Sequence, residues 1–163
     1  MDPRVAPLAE TLRLNSRLFR NCLTSLSDEL ARQRPAGKGP VNCAAFVAAH
    51  LADSRYYLLS LLGDATPSPL TGAEGGFNDI GKVTSYPTLA EIQAAWTSAG
   101  EALARRLEAA TTAQLDAPLG DGWPIEQHTL LGVLVFMTQH ESYHLGQLGL
   151  LRKHAGLPAM AYA

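Results

Sequence analysis

Apolar residues recur at helical spacing in four long stretches of this chain, and this pattern limits the fold more than any other feature. The stretches cover residues from about 3 to 32, 42 to 62, 88 to 111 and 125 to 156, each with a period of about 3.6 residues. No segment reads convincingly as a strand. We therefore predict an all-α fold, a four-helix bundle in which residues 1–163 form a single domain.

The segments between the predicted helices are rich in proline and glycine, and several residues mark helix ends. Residues 35–40 should end the first helix and Gly63 the second. Asn42 is the predicted N-cap of the second helix, and Thr88–Glu91 has the pattern of a capping box at the start of the third. Residues 64–87 predict a long crossover loop between helices 2 and 3, because a loop of this length lets the third helix leave a strict up-down order.

The composition fits a globular protein and argues against several classes of partner. Hydrophobic residues make up 47% of the 163 residues and charged residues 17%, enough for a sizeable core. The formal net charge is −2 and no run of Lys or Arg occurs, so we expect no nucleic-acid partner. No apolar run is long enough for a membrane span and no signal peptide is visible, so we expect no membrane association and a cytoplasmic location. Cys22 and Cys43 give no disulfide framework, which agrees with a reducing compartment.

Three histidines lie on the predicted inward faces of two helices. His140 and His144 are four residues apart, so on a helix they lie one turn apart and differ by about 40° around the axis. His50 adds a third imidazole from the middle of the second helix. A single buried histidine is most often a hydrogen-bonded core residue, but three that meet need either shared protons or a cation. We therefore predict that His50, His140 and His144 bind a metal ion whose fourth position is open.

Two acids, Asp53 and Glu141, are close in sequence to the predicted ligands. Each could orient a histidine ring or act as a base toward a bound water, so we take both as candidate catalytic residues. The alternative for both is a surface acid that is solvated or salt-bridged.

Several other polar and aromatic residues are candidates for core contacts or for the lining of a pocket. Asn15 falls on the apolar stripe of the first helix, so it must bond a neighbouring helix or line a pocket. Trp123 lies in the connector before the fourth helix, and it is either a lid over a pocket or an anchor that holds this connector on the helices. Tyr57, Tyr143 and Arg152 are candidates for the mouth of the pocket.

The string from His140 to His144 also matches the HExxH pattern of zincin metalloproteases. However, no acid follows His144, and Gln147 and Leu150 stand where the extended pattern requires glycine and histidine. No predicted strand is available to align a peptide substrate. The match therefore does not favour peptide hydrolysis.

The two histidine segments resemble the signatures of the DinB/YfiT-like superfamily. Residues 140–147, HESYHLGQ, resemble its C-terminal signature, and residues 50–57, HLADSRYY, resemble its second-helix signature. The resemblance implies a four-helix bundle that binds one divalent transition metal ion (zinc, nickel or iron) through His50, His140 and His144. It also implies a homodimer.

The resemblance leaves two kinds of function open. One is a metal-dependent enzyme, such as an S-transferase or isomerase that uses a low-molecular-weight thiol (bacillithiol or mycothiol, for example) and a small electrophile. The other is a non-catalytic, stress-linked dimeric module that binds a metal or a ligand. A plain structural bundle with three hydrogen-bonded histidines is the third alternative. The metal, the thiol, the electrophile and the pathway are not specified by the sequence.

Overall fold

The computed structural model describes residues 2–36 and 41–162, and this part of the chain is helical without a strand. Two short 3-10 helices cover Pro3–Val5 and Ile80–Lys82. The six α-helices are α1 (Ala6–Leu23), α2 (Asp28–Arg32), α3 (Ala44–Leu61), α4 (Leu89–Ala109), α5 (Thr112–Leu115) and α6 (Leu130–His154). The all-α prediction is thereby confirmed. None of the helices described has both the length and the hydropathy that a bilayer span requires.

The four long helices form the core by packing in pairs. Helix α1 packs against α4 and α6, and α3 packs against the same two helices. Large side chains from each of the four are fully buried between them, among them Phe19, Leu51, Trp96 and Leu134. Helix α3 is buried over most of its surface, which explains why its sequence is apolar nearly all round.

The first helix is shorter than its apolar pattern predicts. We expected it to reach about residue 32, but α1 ends at Leu23 and a turn separates it from α2. Ser25 takes a left-handed φ of +63°, and the Ser27 hydroxyl then caps α2. Leu26 still packs against the core, so the apolar spacing continues through the break and hides it. Of the predicted stop at 35–40, residues 37–40 lie outside the described residues.

The other predicted helix ends agree with the structure in two cases out of three. Thr88 and Glu91 form the capping box, and Gly63 follows α3 with a left-handed φ of +80°. The prediction for Asn42 is wrong, because Cys43 occupies the N-cap position and makes no side-chain cap bond. A buried cysteine at this position packs in the core instead of satisfying the first turn.

Residues 64–87 form a long loop between α3 and α4 that folds back on itself. The backbone N–H groups of Thr84 and Ser85 both donate to the carbonyl of Gly72, at 2.8 and 3.2 Å. Phe77, near the middle of the loop, is fully buried. The loop is therefore packed onto the helices, and this brings its backbone next to His50 of α3.

Candidate metal centre

The three predicted histidines come together where α3 and α6 meet. His50 belongs to α3, His140 and His144 belong to α6, and one nitrogen of each ring lies within 4.8 Å of the others. The shortest distance joins the Nε2 atoms of His50 and His140, at 3.1 Å. The ring centre of His144 lies 4.4 Å from that of His140 and 4.7 Å from that of His50. All three side chains are half-buried, so the cluster is accessible from one side.

The outer ring nitrogens of two of these histidines are held by acceptors. Nδ1 of His50 lies 2.9 Å from the carbonyl oxygen of Phe77, and Nδ1 of His144 lies 2.8 Å from Oε1 of Gln147. Because a backbone carbonyl only accepts, Nδ1 of His50 must carry the proton, and with Oε1 of Gln147 as its acceptor Nδ1 of His144 carries one as well; each Nε2 then carries a lone pair. This is the arrangement that outer partners impose on histidines that bind metals through Nε2.

His140 differs from the other two because its Nδ1 is buried and has no hydrogen-bond partner in the described part of the chain. Its Nε2 faces the lone pair of His50 Nε2, so without a cation it must hold a proton between the two nitrogens. A shared cation removes that requirement. Two nitrogens that each lie about 2.1 Å from a tetrahedral zinc are about 3.4 Å apart, so the observed 3.1 Å fits such a cation.

Burial lowers the pKa of all three imidazoles, and neighbouring imidazoles lower it further for His140 and His50. The pKa of His140 falls to about 4, first because burial penalises the imidazolium and then because His144 and His50 would repel its charge. Burial also lowers the pKa of His50, with a further contribution from His144. For His144, burial lowers the pKa and the bond to Gln147 partly opposes it. At neutral pH the rings are therefore neutral, which is the form that binds divalent metals.

The three histidines lie within the part of the chain that matches a known protein family. The family model described as DinB superfamily matches residues 11–148, which include all three histidines. This chain belongs to the DinB superfamily. No curated protein matches it. Among solved structures it is similar to a conserved protein from Enterococcus faecalis, with a TM-score of 0.74, 16% sequence identity and coverage of 93% of this chain and 96% of that one. At this identity the likeness shows the fold alone.

In this DinB-superfamily protein, Asp53 binds the long loop. Its Oδ2 accepts a hydrogen bond from the backbone N–H of Phe77 at 2.8 Å, and its Oδ1 accepts one from the hydroxyl of Ser68. Phe77 is also the residue whose carbonyl accepts the bond from His50. Asp53 is thus linked to His50 through the backbone of Phe77, by its N–H on one side and its carbonyl on the other, and its role as a base stays a prediction.

Glu141 lies in a buried ion pair on another side of α6. Arg55 of α3 donates to both of its carboxylate oxygens, at 2.7 and 3.0 Å, and both side chains are at most 3% exposed. Asn15 donates to the same carboxylate at 3.3 Å, which confirms that Asn15 bonds a neighbouring helix. Glu141 is therefore salt-bridged but buried, unlike the surface acid of the alternative, and its catalytic role stays untested.

Arg55 was not singled out from the sequence, although a signal was present. It is the only Lys or Arg of α3, and Glu141 is an acid on a core-facing stripe of α6. A buried acid needs a cation on a facing helix. The guanidinium carbon of Arg55 also lies 3.3 Å from the centre of the Trp96 ring, which supports the buried charge from its other face.

Aromatic side chains line the accessible side of the histidine cluster. The ring of Tyr143 lies 5.1 Å from that of His144, and the ring of Phe136 lies 6.2 Å from that of His140. The ring centre of Trp123 lies 5.8 Å from that of Phe136 and 6.0 Å from that of Tyr57. Trp123 therefore anchors its connector on α3 and α6. It contacts Phe136, whose ring lies next to that of His140.

Arg152 lies elsewhere, and the prediction that it lines the pocket mouth is wrong. Its buried guanidinium donates to the carbonyls of Cys22 and Thr24 at the end of α1 and to that of Pro158. These bonds satisfy carbonyls that a helix end leaves without partners. Arg152 thus ties the C-terminal segment to α1.

An open cavity of about 560 Å³ lies between α3 and the long loop. Asp53, Tyr57, Gly76 and Asn78 are among the residues that line it. The side chain of Asn78 also interacts with His50, an interaction that opposes the lowering of the pKa of His50 by burial. The cavity therefore lies next to His50 through Asn78, although none of the three histidines lines it, and it is large enough for a small molecule.

Proposed function

We propose that this protein binds one divalent transition metal ion through His50, His140 and His144. The observation that carries this proposal is the approach of three neutral imidazoles from two helices, with their nitrogens within 4.8 Å of one another. Three protein nitrogens with an open fourth position are typical of catalytic zinc sites, whereas structural sites have four protein ligands. Imidazole ligands suit zinc, nickel and iron alike, so the proposal covers all three metals.

We also propose that the chain is a single domain with the four-helix-bundle arrangement and a crossover between α3 and α4. Arg106, in the last turn of α4, donates to the carbonyl of Gly63 just after α3 and pairs with Asp64. The C-terminal ends of two neighbouring helices thus lie together, which supports a parallel pair. Parallel neighbours need a connection as long as the helix, and the loop of residues 64–87 has that length.

The reaction that this site suits best is the transfer of a low-molecular-weight thiol to a small electrophile, or an isomerisation that uses such a thiol. A bound divalent cation supplies a Lewis acid that lowers the pKa of a coordinated thiol and favours the thiolate near neutral pH. The three neutral ligands leave the positive charge of the cation uncompensated. Phe77 and Gln147 hold two of the rings in the binding tautomer, and the adjoining cavity offers room for the organic substrate.

Metal analysis of the purified protein beside two variants tests the site. We expect about one metal ion per chain in the wild type, almost none in His144→Ala, and the wild-type amount in His154→Ala. His154 is a matched control because it is an exposed histidine at the end of the same helix. Equal metal content in the wild type and His144→Ala would remove the proposed site.

The same three proteins then separate an enzyme from a binding module. Each is incubated with the metal ion and mixed with a thiol and a small electrophile such as an activated aryl halide, and thiol consumption is followed. We expect turnover with the wild type and His154→Ala only. Full metal occupancy without turnover across a panel of thiols would instead favour the non-catalytic, stress-linked dimeric module. Light scattering would then test whether the protein forms the homodimer that this alternative requires.

A further inference from the structure

We propose that Asp53 is a positioning residue that fixes the tautomer of His50 through the backbone of Phe77. This inference rests on the proposed metal site and deepens it, because it makes the long loop a part of that site. The catalytic centre would then consist of ligands from two helices and a loop that sets how one of those ligands is presented.

The link is a chain of two hydrogen bonds that uses both polar groups of one residue. The N–H of Phe77 donates to Oδ2 of Asp53 at 2.8 Å, and the carbonyl of Phe77 accepts from Nδ1 of His50 at 2.9 Å. His50 and Asp53 are three residues apart on α3, so their side chains lie on the same face. A single loop residue therefore spans both of them.

Asp53 holds the loop at two points that are nine residues apart. Its Oδ1 accepts a hydrogen bond from the hydroxyl of Ser68 in the first half of the loop. Its Oδ2 accepts one from the N–H of Phe77 in the second half. Gly75 and Gly76 precede Phe77 with φ values of +72° and +86°, a backbone path that L side chains rarely follow. This path brings the loop so near that a Cβ at Gly76 would lie 3.0 Å from Oδ2 of Asp53.

The tautomer of His50 decides whether it can act as a ligand. With the proton on Nδ1, Nε2 has the lone pair that points at His140 and the cluster. If the Phe77 carbonyl is released, the proton exchanges between the two nitrogens and part of the population is unable to bind. Loss of an outer partner of this kind typically lowers metal affinity by about 10 to 100-fold.

The role assigned to Asp53 differs from that of a base. Both of its oxygens accept hydrogen bonds from the loop, and its hydrogen-bonded connection to His50 passes through the backbone of Phe77. A conservative amide should therefore replace it, because the oxygen of an asparagine accepts from Phe77 while its NH₂ group donates to the Ser68 hydroxyl. A catalytic base would not be rescued in this way.

The experiment compares Asp53→Ala and Asp53→Asn with the wild type in three measurements. They are the tautomer of His50 by nitrogen-15 NMR of metal-free protein, the hydrogen exchange of the Phe77 amide, and the affinity for Zn²⁺ alone. We expect Asp53→Ala to show mixed tautomers, faster exchange and zinc binding that is weaker by about 10 to 100-fold. Asp53→Asn should stay close to the wild type in all three. Asp64→Ala is the control, because Asp64 binds Thr66 and Arg106 at the start of the same loop.

An unchanged His50 tautomer and an unchanged Phe77 amide in Asp53→Ala would overturn the inference, as would failure of Asp53→Asn to restore them. If Asp53→Ala does not purify as a folded protein, Asp53→Ser takes its place, since one hydroxyl cannot reach both limbs of the loop. The first two measurements need no metal. A wild type that binds no zinc would therefore refute the proposed function and still leave the link from Asp53 to His50 measured.

Discussion

Two adjacent residues of α6, His140 and Glu141, face different partners. Successive side chains on a helix differ by about 100° around its axis, so adjacent residues of α6 can meet different side chains of the same neighbouring helix, α3. His140 meets His50 in the histidine cluster, whereas Glu141 meets Arg55 in a fully buried pair with two hydrogen bonds. The glutamate that completes an HExxH string thus maintains the core of this protein.

The change Glu141→Gln should destabilise the fold and spare the metal site. It leaves the Arg55 guanidinium, which is 1% exposed, without its anion. Loss of one partner from a buried ion pair typically costs about 3–5 kcal/mol. Urea denaturation should show this loss, and metal analysis of the folded variant should still give the wild-type content.

The matched control replaces both partners, with Arg55→Met and Glu141→Leu in one chain. Because no uncompensated charge is then buried, much of the lost stability should return. A folded Glu141→Gln protein that no longer binds metal would contradict the assignment, and would move Glu141 into the site.

At the scale of helices and loops, the sequence predicts those helix positions and helix ends that depend on residues close together in the chain. The long helices follow from apolar periodicity, and the ends at Thr88 and Gly63 follow from residues that act within one turn. The break at Ser25 escapes because the apolar spacing continues across it to Leu26. Cys43 in place of Asn42 as the N-cap shows the same limit, since core packing there overrides a capping preference.

The site divides along the same line. The helical spacing of His140 and His144 is local, so half of the cluster can be read from one helix, and His50 follows from the stripe of another. The partners of those rings are set by long-range contacts. No spacing in the sequence places the Phe77 backbone on His50, because this contact depends on how the loop folds back over α3.

The loop itself can be tested with a pair of glycines. Gly75→Ala and Gly76→Ala both force an L residue into a left-handed backbone, which costs about 1–2 kcal/mol in either case. The Cβ at Gly76 would also press on Asp53, whereas nothing lies within 4 Å of the Cβ at Gly75. Gly76→Ala should therefore be the less stable variant in urea and should show the faster exchange of the Phe77 amide. Equal effects would mean that the loop does not lean on Asp53.

At the scale of the whole molecule, the histidine cluster joins α3 to α6 and makes their association depend on protons. Three rings that are neutral in the folded protein are free to charge once the chain unfolds. Protonation of these rings therefore favours the unfolded chain. A cation that binds only the folded protein would instead raise the free energy of unfolding, by about 2.7 kcal/mol at a concentration 100 times its Kd. At the proposed metal site, a proton and a metal ion would therefore compete for the same nitrogens.

Metal-free protein should therefore lose stability as the pH falls from about 6.5 toward 4. The pKa of His140 is about 4 in the folded protein and about 6.5 in the unfolded chain. Between these values the unfolded chain holds more protons, so a falling pH favours unfolding, while above about 6.5 the contribution is fully present. Urea midpoints measured with a chelator across this range should fall, and added Zn²⁺ should raise them most at neutral pH. His140→Phe should flatten the dependence, because it removes the ring whose pKa is lowered to about 4. An equally steep dependence in that variant would assign the protons to other groups.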